Sequence, residues 1–254
     1  MAEEVLMDVT DGILTVTLNR PKARNAANKA LAEGVAAAMD RLDSDDSIHV
    51  AILTGAGGTF CSGMDLKAFV TGETPNVEGR GFAGLTEATP RKPLIAAVEG
   101  YALAGGLELA ISCDLIVAAD DAKFGIPEVK RGLAAAAGGL IKLPRQIPKR
   151  LAMELALTGD FISAQRAYDI GLINEVVPAG TALEAAKALA ARIVANGPLA
   201  VEISKQVVLQ SEDWSADEMW QKQQELTMPV FISEDAIEGS VAFAEKRAPN
   251  WKGK

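Results

Sequence analysis

Histidine occurs once in this chain and cysteine twice, and that scarcity removes several chemistries at the outset. One imidazole cannot build a histidine metal site. His49 lies in the alternating run SIHVAIL, where it reads as an outward residue on a strand rather than a catalytic base. Cys61 and Cys113 stand far apart with neither zinc-site nor disulfide-framework spacing, which fits a reducing cytosol. Basic residues are outnumbered, 25 Lys plus Arg against 34 Asp plus Glu. The net charge of -9 repels a phosphate backbone, so nucleic acid is not expected as a partner. No stretch reaches the ~20 apolar residues that a membrane span needs. The opening MAEEVLMDVT is acidic and lacks the apolar heart of a signal sequence. The expectation is an untargeted, cytoplasmic protein that does not engage a membrane.

What is present is ordinary globular material. Hydrophobic residues are 49% of the 254, enough to bury a sizeable core. At roughly 150 residues per domain, the length allows one large domain or two small ones. The first half alternates short β-type runs, VLMDVT, ILTVTL, HVAILTG, PLIAAV and DLIVAA, with helical stretches at Asn28 to Leu42 and Leu107 to Ser112. That alternation predicts an α/β fold with crossover connections. The connector Ala68 to Pro93 has no clear period, and so long a loop in a compact domain is usually functional or mobile. From about Lys149 the chain reads as consecutive helices, with capping boxes at Thr181 to Glu184 and Ser215 to Glu218. In the last segment Ile237, Val241 and Ala244 share one helical face, an apolar stripe awaiting a partner. No internal repeat is found.

Three glycine-rich places invite a nucleotide or nucleophile reading, and each fails. In TGAGGTF the glycine fingerprint of a dinucleotide site ends on Phe60 and opens no helix. The run Gly100 to Gly106 lacks the Gly-Lys-Ser/Thr ending of a phosphate loop. Ser62 in CSGMD lacks the strand-turn-helix setting of a nucleophile elbow. Two glutamates beside chain breakers remain, Glu108 in YALAGGLELA and Glu128 in FGIPEVKRG. Glu108 lies one turn beyond Gly105, where an open backbone N–H at a helix start is an anion site. Taken singly, each acid also fits dipole compensation or a helix opening behind proline. Taken together, two acids among apolar neighbours are what general acid–base work demands, because burial and mutual repulsion push their pKa values apart.

Nearly the whole chain, from LNRPKARNA to the AFAEKR tail, resembles the crotonase superfamily, of the enoyl-CoA hydratase type. The fold implied is α/β, a crotonase (ClpP/crotonase-like) spiral core of repeated ββα units over residues 1–195. A C-terminal helical trimerisation region, 196–254, follows it. The stretch ILTGAGGTFCSGMDLKAF is similar to the family's first oxyanion-hole segment, with its donor N–H on Met64. VEGYALAGGLELAISCDL is similar to the second, with its donor on Gly105. In the family a water sits between two glutamates that correspond to Glu108 and Glu128. Retention of both resembles hydratases more than isomerases. The implied chemistry is reversible addition of water to a 2-enoyl-CoA, with the acyl-CoA as substrate and no metal or other cofactor.

The resemblance also implies coenzyme A contacts from Arg24, Ala26, Cys61, Ser62, Asp65 and Lys67, and from Phe243 and Lys246 of a neighbouring subunit. Self-association as a trimer or dimer of trimers is expected. Two departures touch the acyl pocket: Ala104-Gly105-Gly106 where three glycines are usual, and GLAAAAGG where a proline-containing turn is usual. GFAGLTE, SEDAIEG and NWKGK resemble carnitinyl-CoA dehydratases, the branch that competes most directly for the substrate assignment. Double-bond isomerisation on the same fold and a non-catalytic acyl-CoA or RNA scaffold also compete with hydration. A trimethylammonium group needs aromatic faces or a carboxylate, and aromatics are only 5% of the chain. The small residues Ala134 to Ala137 read either as a roomy apolar wall or as tight helix packing.

Overall fold

The five apolar runs are strands, and a computed structural model, which describes residues 3–254, places all of them in one sheet. The first two residues of the acidic N-terminal stretch lie outside it. In chain order the first part comprises β1 (Val5–Thr10), β2 (Ile13–Leu18), α1 (Lys29–Ser44), β3 (Val50–Gly55) and the short α2 (Leu66–Val70). The hairpin β4 (Asn76–Val77) and β5 (Gly81–Phe82) follows, then β6 (Leu94–Val98), β7 (Tyr101–Leu103), α3 (Gly105–Ala110), β8 (Leu115–Ala119) and β9 (Lys123–Gly125). The second part holds α4 (Gly139–Gln146), α5 (Lys149–Thr158), β10 (Ile162–Ser163), α6 (Ala164–Asp169) and β11 (Glu175–Val177). It ends with α7 (Ala182–Val194), α8 (Pro198–Ser211), α9 (Met219–Phe231) and α10 (Glu234–Glu245).

The main sheet has the order β1-β2-β3-β6-β8-β11, antiparallel only at β1/β2. In β2 every second residue, Leu14, Val16 and Leu18, is buried, whereas the central runs VAILT and LIAAV are buried throughout. That is the difference between a strand with one covered face and a parallel strand covered on both. α7 covers one face, with Ala186 and Ala190 small enough to settle on Val50, Ile52, Ile95 and Val117. α1 starts at a true cap, the Asn28 carboxamide oxygen accepting from the Leu31 N–H at 3.0 Å, and buries Leu31, Val35, Met39 and Leu42.

A second, smaller sheet, β10-β9-β7, is extended by a bridge between Cys61 and Ala102. Three successive passes therefore do the same thing. Each runs a long strand through the main sheet (β3, β6, β8), touches the second layer (Cys61, β7, β9), and then turns into helix. The spiral repeats in space although no repeat is written in the residues.

Several local expectations are corrected. Thr181 does not cap α7; its hydroxyl donates to the Pro178 carbonyl. The Glu99 carboxylate substitutes, accepting from Gly180 and Ala182 N–H at 2.9 Å each. Ser215 spends its hydroxyl on the Glu218 carboxylate, and α9 begins only at Met219. The helical half contains strands β10 and β11, whose two and three residues are too short for any period. The connector 68–93 is not loose: Phe82, Ala83 and Leu85 are core residues.

Candidate active site

The segment Cys61–Asp65 is held from two sides. Cys61 donates to Tyr101 O at 2.9 Å and accepts from the Leu103 N–H at 3.1 Å. Across the other edge, the Ala27 N–H donates to Gly63 O at 2.8 Å and the Asp65 N–H to Ala27 O at 2.9 Å. Between these bonds the Met64 N–H is skipped, so among the described residues it donates to nothing. Ala104 turns the chain from β7 into α3 with φ 53° and ψ -128°, a conformation that favours glycine and costs an L residue about 1–3 kcal/mol. The turn leaves the Gly105 N–H, first in its helix, likewise without an acceptor among the described residues. The two free donors belong to touching segments, since a Cβ on Gly63 would come 3.3 Å from the Gly105 nitrogen.

Glycine is required here for space as well. A Cβ on Gly106 would sit 2.0 Å from Cys61 O, and one on Gly105 would sit 2.5 Å from the Phe82 ring. One turn along α3, Glu108 is 2% exposed, and its Oε1 accepts from the Gly139 N–H at 2.8 Å. Burial pushes its carboxyl up to about 7, helped by the nearby Glu128 and opposed by the Gly139 and Ala137 N–H groups and Lys142. Glu128 sits in the 3-10 turn Pro127–Arg131, and burial raises its carboxyl too. Its Oε2 is buried without a hydrogen-bond partner, an arrangement a folded protein rarely keeps without use. Glu128 opens into a cavity of ≈ 410 Å³ between α4 and α5, walled by Ile126, Ala135, Leu140, Leu143, Ala152 and Ala156.

A carboxyl raised to about 7 beside a second that burial also raises, two adjacent unpaired N–H donors and an apolar cavity between helices now stand together. Residues 8–254 match the family described as enoyl-CoA hydratase/isomerase. The chain belongs to the enoyl-CoA hydratase/isomerase family. It is 44% identical to the enoyl-CoA hydratase EchA19 of Mycobacterium tuberculosis over 99% of this chain and 97% of that one. It is 38% identical to the carnitinyl-CoA dehydratase of Proteus mirabilis over the full length of both. The crystal structure of an enoyl-CoA hydratase from Mycobacterium tuberculosis H37Rv superposes with a TM-score of 0.98 at 59% identity, covering 100% of each chain.

The crotonase-type fold read from the residues is therefore present, and the remaining candidates of this enoyl-CoA hydratase/isomerase chain find definite places. Arg24 is exposed, in the left-handed region with φ 51°, and its carbonyl accepts from the Ser62 N–H. Ala26 is buried and accepts from the Arg20 guanidinium. The Cys61 thiol is fully buried and pushed up to about 11, which leaves it inert beside its backbone role. Asp65 is occupied internally: it caps α2 through the Lys67 and Ala68 N–H groups and pairs with Arg20 at 2.9 Å. Lys67 lies exposed in α2.

One chain does not bring Phe243 and Lys246 to the glutamates. Phe243, 87% exposed, lies on α10 against α8 and Trp251, and Lys246 ends that helix. His49 is half-buried just before β3, its N–H on Gly12 O. Sequence reasoning missed Gly139, the donor that holds Glu108, although Gly138-Gly139 opens a helix much as Gly105-Gly106 does. It also missed Asn25, whose buried side chain accepts from the Arg20 N–H and donates to the Ala56 and Thr59 carbonyls, locking the loop before α1.

Proposed function

We propose that this protein is an enoyl-CoA hydratase that adds water reversibly across a double bond conjugated to a thioester. The observation that carries the reading is the orphaned Glu128 Oε2 at the head of an apolar cavity, with Glu108 as its charged neighbour. A water between the two carboxyls loses its proton to Glu108 as its oxygen attacks the β-carbon. The electron pair moves through the α-carbon to the thioester oxygen, where the Met64 and Gly105 N–H groups stabilise the enolate. Such preorganised donors are usually the largest single contribution to rate. Glu128 then supplies the proton to the α-carbon, and the 3-hydroxyacyl thioester results. A fall in the conjugated-enoyl absorbance on mixing with crotonyl-CoA tests this, and a flat trace at micromolar enzyme would refute it.

The cavity wall supports an aliphatic acyl chain. Ala134 and Ala135 line it, which supports a roomy wall at those two positions, while Ala135 and Ala137 also pack into the core. No aromatic ring lines it to receive a trimethylammonium group. A second reading, hydration of crotonobetainyl-CoA, is favoured by the likeness to carnitinyl-CoA dehydratases. Competing turnover of crotonyl-, octenoyl- and crotonobetainyl-CoA separates the two, with the aliphatic substrates expected to be faster.

Coenzyme A is assigned to Arg24, Ala26, Cys61, Ser62, Asp65 and Lys67, most of them on the two paired strands of chain described above. Residues 1–195 are taken as the catalytic core and 196–254 as a trimerisation region that lends Phe243 and Lys246 to a neighbouring subunit. The exposed Phe231 and Ile232 at the end of α9 and Ile237 and Phe243 on α10 support that assembly. Among the described residues no helix is long and apolar enough to cross a membrane, and the cytoplasm is the proposed location.

A further inference from the structure

A lysine stands behind Glu108. Lys142 of α4 is half-buried, with its stem laid along Gly138. Its Nζ donates to Thr86 O at 2.8 Å and to Ser112 Oγ at 2.7 Å, and the Ser112 hydroxyl in turn donates to the main-chain carbonyl of Glu108 at 2.7 Å. One ammonium thus joins three elements. α4 supplies the Gly139 N–H that holds Glu108 Oε1, and α3 carries both Glu108 and Gly105. The third is the segment that carries Thr86, which follows β5, where Phe82 packs its ring over Gly105. Among the described residues no carboxylate forms an ion pair with Lys142, so the fold bears the desolvation cost of an ammonium where a neutral pin would hold the same elements. The charge therefore asks for a use.

We propose that Lys142 is a positioning residue for hydration, holding α4 so that the Gly139 N–H fixes the Glu108 carboxylate and keeping a positive charge behind that carboxylate. It acts through Ser112 and α4, without touching substrate. The proposal rests on the hydratase reading for its kinetic consequence but not for its structural one. The groups facing Lys142 are Glu108 and Cys113 of the α3 turn and Glu87 of the hairpin segment, while Glu128 faces Glu108 from the other side. Lys142 draws the Glu108 carboxyl down, against burial and Glu128, which push it up. Without the cation, more of Glu108 is protonated at neutral pH and unable to take a proton from water.

The test compares Lys142→Met, Lys142→Arg and Ser112→Ala with the parent protein by two readouts. One is the acid limb of kcat/KM on crotonyl-CoA. The other is the Glu108 carboxyl titration by ¹³C chemical shift, assigned with Glu108→Gln. Lys142→Met is expected to move both upward, by at most about one pH unit, since the cation acts on Glu108 more weakly than burial, Gly139 or Glu128. At pH 7 a full unit lowers the ionised fraction of Glu108 from about one half to about one tenth, so kcat falls about fivefold while KM changes little. Lys142→Arg restores both to within about 0.3 unit, since it keeps the charge and the donors. Ser112→Ala keeps the cation, so it lowers kcat without moving the limb. An unmoved titration in Lys142→Met, or an arginine variant no better than methionine, overturns the proposal. If Lys142→Met does not fold, Lys142→Gln is held to the same criteria. A moved titration in a protein that hydrates no enoyl-CoA would instead sink the hydratase reading and leave the role of Lys142 standing.

Discussion

Gly105→Ala offers a sharp test of the donor geometry, because its effect has one identifiable cause. The backbone at Gly105 is helical, so alanine meets no conformational penalty there. The new methyl would instead lie 2.5 Å from Phe82 Cζ and 2.6 Å from Cε1. Ordinary carbon contacts are about 3.5–4.0 Å, so the ring or the α3 start must shift by about 1 Å. Overpacking of this kind costs about 1–3 kcal/mol of stability, and a displacement of about 1 Å in a positioned group costs about 10²-fold in rate. Gly105→Ala should therefore unfold at lower denaturant and lose about 10²-fold in kcat on crotonyl-CoA. Combining it with Phe82→Leu, which withdraws the ring edge, should recover at least half of the lost activation energy, measured as a double-mutant cycle. Gly106→Ala is the control: its methyl meets the Cys61 carbonyl at 2.0 Å, and no side-chain change relieves that. Wild-type kinetics in Gly105→Ala, or no recovery in the double variant, would refute the packing of Phe82 over the donor.

Further outcomes are expected. Glu108→Gln and Glu128→Gln should each keep fold and CoA affinity yet lose at least ~10²-fold in rate. Glu108 also links stability to pH: its folded carboxyl, at about 7, lies above the ordinary 4.5, so its ionisation opposes folding. The cost is absent below about pH 4.5, grows as pH rises toward 7 and is then constant. Glu108→Gln should consequently stabilise the protein by about 1–3 kcal/mol at pH 8 and by almost nothing at pH 4.5, and equal Tm shifts at both pH values would contradict this. Deleting Ser233 to Lys254 removes α10, the Trp251 indole N–H bond to Ala195 O and the Asp235 cap on Lys252 and Gly253. Light scattering should then report a monomer where the full chain gives the proposed trimer, and an intact assembly with unchanged CoA affinity would make the tail dispensable.

The residues by themselves determined whatever depends on near neighbours. The β-type runs ILTVTL and PLIAAV and the helical stretch from Asn28 each write their element locally, and each stands close to where it was read. Glu108 and Glu128 stood out because glycines and proline beside them are local signals too. Tertiary structure decided the rest, since it depends on groups far apart in the chain. Glu99 caps α7 across the fold, and β11 exists only because β8 offers it an edge. Gly139 reaches Glu108 from another helix, and Phe82 arrives over Gly105 from a segment without period. Acidity is of the same kind. A glutamate titrates near 4.5 or near 7 according to the water it has lost and the charges around it, and desolvation is a property of the packed molecule that no run of neighbouring residues contains.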